Sequence, residues 1–287
     1  MFKHVFIGVG LGLFLALQFS LFLISFSPDI ALLLDTNSIA FLKDVVGPVS
    51  SGFGGAIAGA YAAFWFQGHN ERNKEAREGY RALSMTKLDY LRRIQYLIAI
   101  KKNSIEKFKA HEFRFLAIQT LPDTPRVAGV IGLEIIDYLL AEKAKTAVDM
   151  VLNANHNYQA LFENIKGRNG TYLSYRDVLN SSRLGHSLVV DFPAIVSVIE
   201  PARLISVYKT TENVLTNFDF VIQYLHDAMV EIGKVLDGPF KAKGFPVIDF
   251  GVVEEGGLER LPPPVHDLEA LKNLIIEAKA TEAHSSS

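Results

Sequence analysis

The chain has no cysteine. That excludes disulfides, thiolate catalysis, and zinc or iron–sulfur centres held by Cys. It lacks a large net charge of either sign, standing at −2 with a pI near 6.5. A global basic field of the kind nucleic-acid binders carry is therefore missing. No proline falls between Pro48 and Pro122. No HExxH, Walker loop, GxGxxG after a strand, or GxSxG elbow occurs. The eight histidines are scattered along the chain, and no pair has the four-residue spacing of a helical metal site. Gly185-His186-Ser187 has no placed acid partner. These absences predict a protein that is not an enzyme and needs no cofactor or metal.

Two stretches lack ionisable residues altogether. Val5–Phe26 is apolar, with Gln18 and serines as its main polar residues. Val45–Gln67 runs VVGPVSSGFGGAIAGAYAAFWFQ, twenty-three residues without a charge. A helix needs about twenty apolar residues to cross about 30 Å of hydrocarbon. Mean hydropathy over the 287 residues is +0.19, and the excess lies in the first 67. We read both stretches as transmembrane helices, at about 5–26 and 45–67. The first is too long for the apolar core of a cleaved signal peptide. Its best cleavage candidate, Ser25-Phe26-Ser27, is followed by Pro28. Residues 27–44 form a short extracytoplasmic loop with one helical turn.

Positive charge sets the orientation. Lys3 precedes the first span, and Arg72, Lys74 and Arg77 follow the second, while the loop holds only Lys43. The positive-inside rule places both termini in the cytoplasm, with Trp65 at the inner interface. The cations up to Arg93 alternate with Glu71, Glu75, Glu78 and Asp89. This pattern suits a helix beside anionic lipid head groups better than one on nucleic acid.

Residues 1–69 thus form the membrane part and 70–287 a helical cytosolic domain; the fold class is mainly α, with at most a short strand. A long helix runs from Asn70 to about Ala110, in line to continue the second span, with Tyr80, Leu83, Lys87, Tyr90, Ile94 and Leu97 recurring at three- and four-residue steps. Gly79 marks a bend. Further helices cover about Val130–Lys166, Tyr172–Val190, Thr211–Leu236 and Asp267–Ala280, with turn residues at Lys166–Gly170 between the first two and a short piece, Ala194–Glu200, bracketed by Pro193 and Pro201. Phe245–Val253 alternates loosely and is the candidate strand.

The most specific pattern is a row of small residues. Ser51, Gly55, Gly59 and Ala63 are spaced by four, with Gly52, Ala56 and Ala60 beside them, and Gly8 and Gly12 repeat the spacing in the first span. Small residues at this spacing let helix backbones approach closely in lipid. Two readings stand together: homo-oligomerisation through these faces, and packing of the two spans within one chain. Arg203, Lys209, Lys234, Lys241 and Lys243 are candidates for a small anionic ligand.

The passage GGAIAGAYAAFWFQGHNERNKEAR, followed by SMTKLDYLRRIQYLIAIKKNSIEKFK, resembles two-span bacterial membrane effectors of anti-phage defence, of the retron or cyclic-nucleotide-triggered type. The likeness covers residues 5 to about 110 and rests on architecture and texture. It implies an inner-membrane effector, held inactive until a protein or small anionic trigger arrives, which then assembles and permeabilises the bilayer. The alternative expectation is a membrane-anchored scaffold or sensor that leaves the bilayer intact.

Overall fold

The computed structural model describes residues 19, 22–23, 35–125, 132–182, 184, 191–248 and 258–285. Among these residues the regular elements are all helical. The chain divides into two compact units, Met1–Ala76 and Arg77–Ser287. The expected first span, with Lys3, Gly8 and Gly12, lies outside the described residues.

In the first unit, helix α1 (Thr36–Phe41) leads through a π-helical turn, Leu42–Val46, into α2, Gly47–Ile100. The stretch expected to be a loop is therefore helical from Thr36 onward. Pro48 occupies the first turn of α2, where a missing N–H costs nothing. The absence of proline beyond it lets one helix run through both the uncharged stretch and the charged one.

No helix among the described residues is long and apolar enough to cross a membrane. This corrects the reading of Val45–Gln67 as an ordinary crossing. The stretch is helical from Gly47 and uncharged. Its glycines, alanines and serines, together with Tyr61, Trp65 and Gln67, dilute its apolarity.

The second unit is built on three long helices: the later part of α2, α5 (Lys145–Ser181) and α7 (Pro201–Val235). Tyr90 Oη donates to the Val151 carbonyl at 3.2 Å, and Tyr96 stacks on Phe162 with ring centres 6.2 Å apart. α2 and α5 therefore run in the same direction. Lys101, just after α2, pairs with Asp219 in α7, while Gly79 approaches Phe240 beyond the end of α7. Hence α7 runs the opposite way. Leu83, Tyr90, Ile94 and Leu97 are fully buried between the two partners, as the spacing predicts. Burial of one such side chain stabilises by about 1.5–3 kcal/mol.

At Ile100 α2 gives way to a π-helical turn, Lys101–Ile105, and a 3-10 turn, Glu106–Phe108, which end close to the expected Ala110, while α5 and α7 continue further. Three short elements take the place of α2: α3 (Arg114–Ala117), α6 (Phe192–Val198) and α8 (Leu268–Ser285). They close a second apolar cluster around Phe115, Tyr172, Ile195, Leu204 and Leu271. Asp191 and Asp267 cap α6 and α8, accepting from the amides of Ala194 at 3.0 Å and Ala270 at 2.8 Å.

Several boundaries differ from expectation. Lys166–Gly170 is no turn, because Arg168 and Asn169 are buried and hydrogen-bonded while Gly167 and Gly170 face open space. Conversely, the run from Val130 breaks after α4 (Leu133–Ala141), where Lys143 takes a positive φ of 57°. α7 starts at Pro201, not Thr211, and α8 runs to Ser285. Phe245–Ile248 is no strand; Phe245 stacks on Tyr80 at 4.9 Å, and 249–253 lie outside the described residues.

Gly79 does not mark a bend. It lies inside α2, and a Cβ there would meet the Tyr138 ring at 2.9 Å and Phe240 at 3.3 Å. Gly170 has nothing within 4 Å. Gly79→Ala should therefore lose about 1–2 kcal/mol, overpacking outweighing the gain in helix propensity. Gly170→Ala should gain up to about 1 kcal/mol. Urea denaturation of the full chain in mild detergent checks both signs.

Candidate functional site

Two features stand out, one in each unit. The first is the surface of α2 from Gly47 to Gln67. At 100° per residue, Val49, Phe53, Ile57, Tyr61 and Trp65 share one side of the helix. Ser51, Gly52, Gly55, Gly59 and Ala63 share the other, with Ala56 and Ala60 on the border; Phe66, at the end, is the bulky exception. Both sides are exposed: Phe53 is 65% exposed, Tyr61 69% and Phe64 77%. Ser51, Gly52, Gly55, Ala56, Gly59, Ala60 and Ala63 are exposed too, and nothing lies within 4 Å of a Cβ built at Gly52, Gly55 or Gly59. Ser51 Oγ donates back to the Pro48 carbonyl at 3.0 Å, leaving the helix without an unmet hydroxyl there. Trp65 stacks on His69, one turn on, at 5.8 Å. Arg72, Lys74 and Arg77 are exposed.

The second feature is a buried polar layer between the two apolar clusters. Arg168 on α5 is 1% exposed. Its Nε donates to Thr211 Oγ1 at 3.1 Å, and its two Nη groups donate to the carbonyls of Gln119 (2.6 Å) and Ile118. The guanidinium lies over the Tyr172 ring at 4.6 Å. Burial pulls its pKa down to about 10, with Tyr172 opposing, so it stays cationic at neutral pH. Asn169 beside it brackets Leu121, accepting from its amide at 3.0 Å and donating to its carbonyl at 2.7 Å.

Two ion pairs complete the layer. Arg114 meets Glu212 with two parallel bonds, Nε to Oε1 at 2.9 Å and Nη2 to Oε2, and sends Nη1 to the Pro262 carbonyl at 2.7 Å. Lys101 reaches Asp219 Oδ1 at 2.7 Å and the Glu259 carbonyl, while Asp219 Oδ2 accepts from the Leu261 amide at 2.7 Å. A cavity of about 280 Å³ opens beside these pairs, walled by Phe220, Arg260 and Pro262–Pro264. Of the charges that line it, Arg114 and Glu212 pair with each other, Asp219 pairs with Lys101, and Arg260 lies over the Phe220 ring at 5.5 Å. Most bonds of the layer run from side chains to backbone, so it holds chain segments in place.

These pairs join residues 98 and 118 positions apart, which local sequence patterns do not reveal. One signal was present: Glu212 and Asp219, seven apart, flank the apolar positions Leu215 and Phe218 of a helix. The expected anionic-ligand cluster does not converge. Arg203 bonds Ser174 at one end of α7, and Lys234, paired with Glu231, lies about 45 Å along the axis. Lys243 is committed to Glu142. Among the described residues no group of three or more His, Asp or Glu side chains is placed to hold a metal.

A third polar group sits inside the first cluster. Arg93, 2% exposed, lies 4.7 Å from the Tyr158 ring centre and donates to Asn155 Oδ1 at 3.1 Å. Burial pushes the Tyr158 hydroxyl up to about 12, against the pull of Arg93, and that oxygen has no hydrogen-bond partner among the described residues.

The chain matches no protein-family model, and no curated protein or solved structure is similar to it.

Two outcomes follow from this geometry. Glu212→Ala should destabilise by about 3–5 kcal/mol, since it strands the buried Arg114 charge. Arg114→Met with Glu212→Leu should lose much less, and a double-mutant cycle in urea separates the two. Tyr158→Phe should be neutral or stabilising at pH 7. An unfolded tyrosine ionises near pH 10, whereas the folded Tyr158 holds its proton to about 12. The stability this residue contributes is complete below pH 10 and is lost as pH rises towards 12. The advantage of Tyr158→Phe over the parent should therefore widen across that window in thermal melts.

Proposed function

We propose that this chain is a non-enzymatic, membrane-anchored effector of the bacterial inner membrane, acting in anti-phage defence by oligomerisation and permeabilisation. The observation that carries the reading is the helix from Gly47 to Gln67. It is uncharged over about 30 Å of axis, with bulky apolar residues on one side and Ser, Gly and Ala on the other, both exposed. Its modest hydropathy fits this role. A lone helix so rich in glycine and alanine gains little from lipid. Several copies packed through their small faces gain van der Waals contact and turn the side that carries most of the bulky residues to the acyl chains.

In this reading insertion and association depend on one another. The Arg77–Ser287 unit receives the trigger, a protein or a small anionic ligand, and both termini face the cytoplasm. The charged residues Arg72, Lys74 and Arg77 meet anionic head groups. Trp65 marks the interface.

The full chain should release dye from vesicles of mixed zwitterionic and anionic lipid, with a steep dependence on protein concentration. Gly55→Leu with Gly59→Leu should cut release at least about tenfold and reduce the cross-linked oligomer, the effect of blocking close helix approach. Unchanged release and oligomer size in the variant would refute the mechanism. Binding without release by the parent would favour the scaffold reading.

A further inference from the structure

The C-terminal segment is held differently from the rest of its unit. Within α8, only Leu271 and Ile275 are buried among the described side chains from Leu268 to Thr281. α7, by contrast, buries a residue at almost every turn from Leu204 to Val235. The connector before α8 packs two half-buried side chains, Leu258 and Leu261, on the apolar cluster around Leu83 and Tyr90. It passes the cavity walled by Pro262–Pro264, and is fastened mainly by hydrogen bonds to its backbone. Lys101 takes the Glu259 carbonyl, Asp219 the Leu261 amide, Arg114 the Pro262 carbonyl, and Tyr208 Oη the His266 carbonyl at 2.9 Å. Side chains add to these: His266 Nε2 meets Glu112 at 2.9 Å, its ring stacks on Phe113 with centres 5.7 Å apart, and Arg260 lies over the Phe220 ring at 5.5 Å.

Segments with few buried apolar contacts open locally at a fraction of the global unfolding free energy. The run of three prolines stiffens the connector, so its clips release together. We infer that residues 258–285 form a strap that opens as one unit while α2, α5 and α7 stay folded. Opening uncovers the apolar surface of α6 and the start of α7, around Ile195, Leu204 and Tyr208. It also takes the Glu259 carbonyl from Lys101 and the Pro262 carbonyl from Arg114, while the bonds of Lys101 to Asp219 and of Arg114 to Glu212 and the Lys109 carbonyl remain. The strap is a conformational device of the Arg77–Ser287 unit and does not depend on the bilayer reading.

Hydrogen exchange of the full chain in mild detergent, read by mass spectrometry, tests this. Amides of 268–280 should exchange together, at least about tenfold faster than core amides of α5 and α7. Tyr208→Phe keeps the buried ring and removes only the bond to the His266 carbonyl. It should speed strap exchange about fivefold, the effect of one hydrogen bond, and leave α5 and α7 unchanged. Leu271→Ala should act in the same direction more strongly. The inference fails if the strap is as protected as α7, if Tyr208→Phe leaves it unchanged, or if that variant accelerates α5 and α7 equally.

Discussion

Arg168 is a buried cation with no carboxylate against it among the described residues, and the path of the chain around it follows from that. Its donors are met by the carbonyls of Ile118 and Gln119 and by Thr211. A buried charge without such partners costs several kcal/mol. The irregular segment 118–121 is thereby held against α5, and Asn169 repeats the hold one residue on. Arg114 and Lys101 do the same for the connector at 259–262. Apolar packing alone would tolerate sliding along the α5–α7 pair. The polar layer sets the register, because each donor has an acceptor at only one position.

The layer also explains where α2 ends. Beyond Ile100 the chain must turn Lys101 inward to Asp219 and bring Arg114 to Glu212. The third place beside α5 and α7 then passes to short helices. The result is two apolar clusters separated by a charged seam.

The long helices were legible in the sequence because their apolar stripes follow the helical period and proline is missing from α2. Leu83, Tyr90, Ile94 and Leu97 face the core for that reason. What was misread has a common cause, which is long-range contact. Lys166–Gly170 has the composition of a turn, but burial of Arg168 and Asn169 overrides it. Gly79 resembles a bend, yet its lack of a side chain admits the ring of Tyr138. The cationic candidates of α7 share a helix and are spread along its length. The small-residue row was legible as a pattern, and the structure adds that its described members are uncovered within the chain.

The functional account rests on the uncharged helix entering lipid in company with other copies. The chain has a single tryptophan, Trp65, which is 64% exposed and stands on that helix. The most direct measurement is its fluorescence in the full chain, with vesicles containing anionic lipid and with brominated acyl chains as depth-resolved quenchers. A blue shift with quenching strongest for bromines near the head-group end of the acyl chain is the predicted result, since tryptophan settles at that depth. Emission that stays at its water-exposed wavelength, unquenched at any depth, would contradict the account.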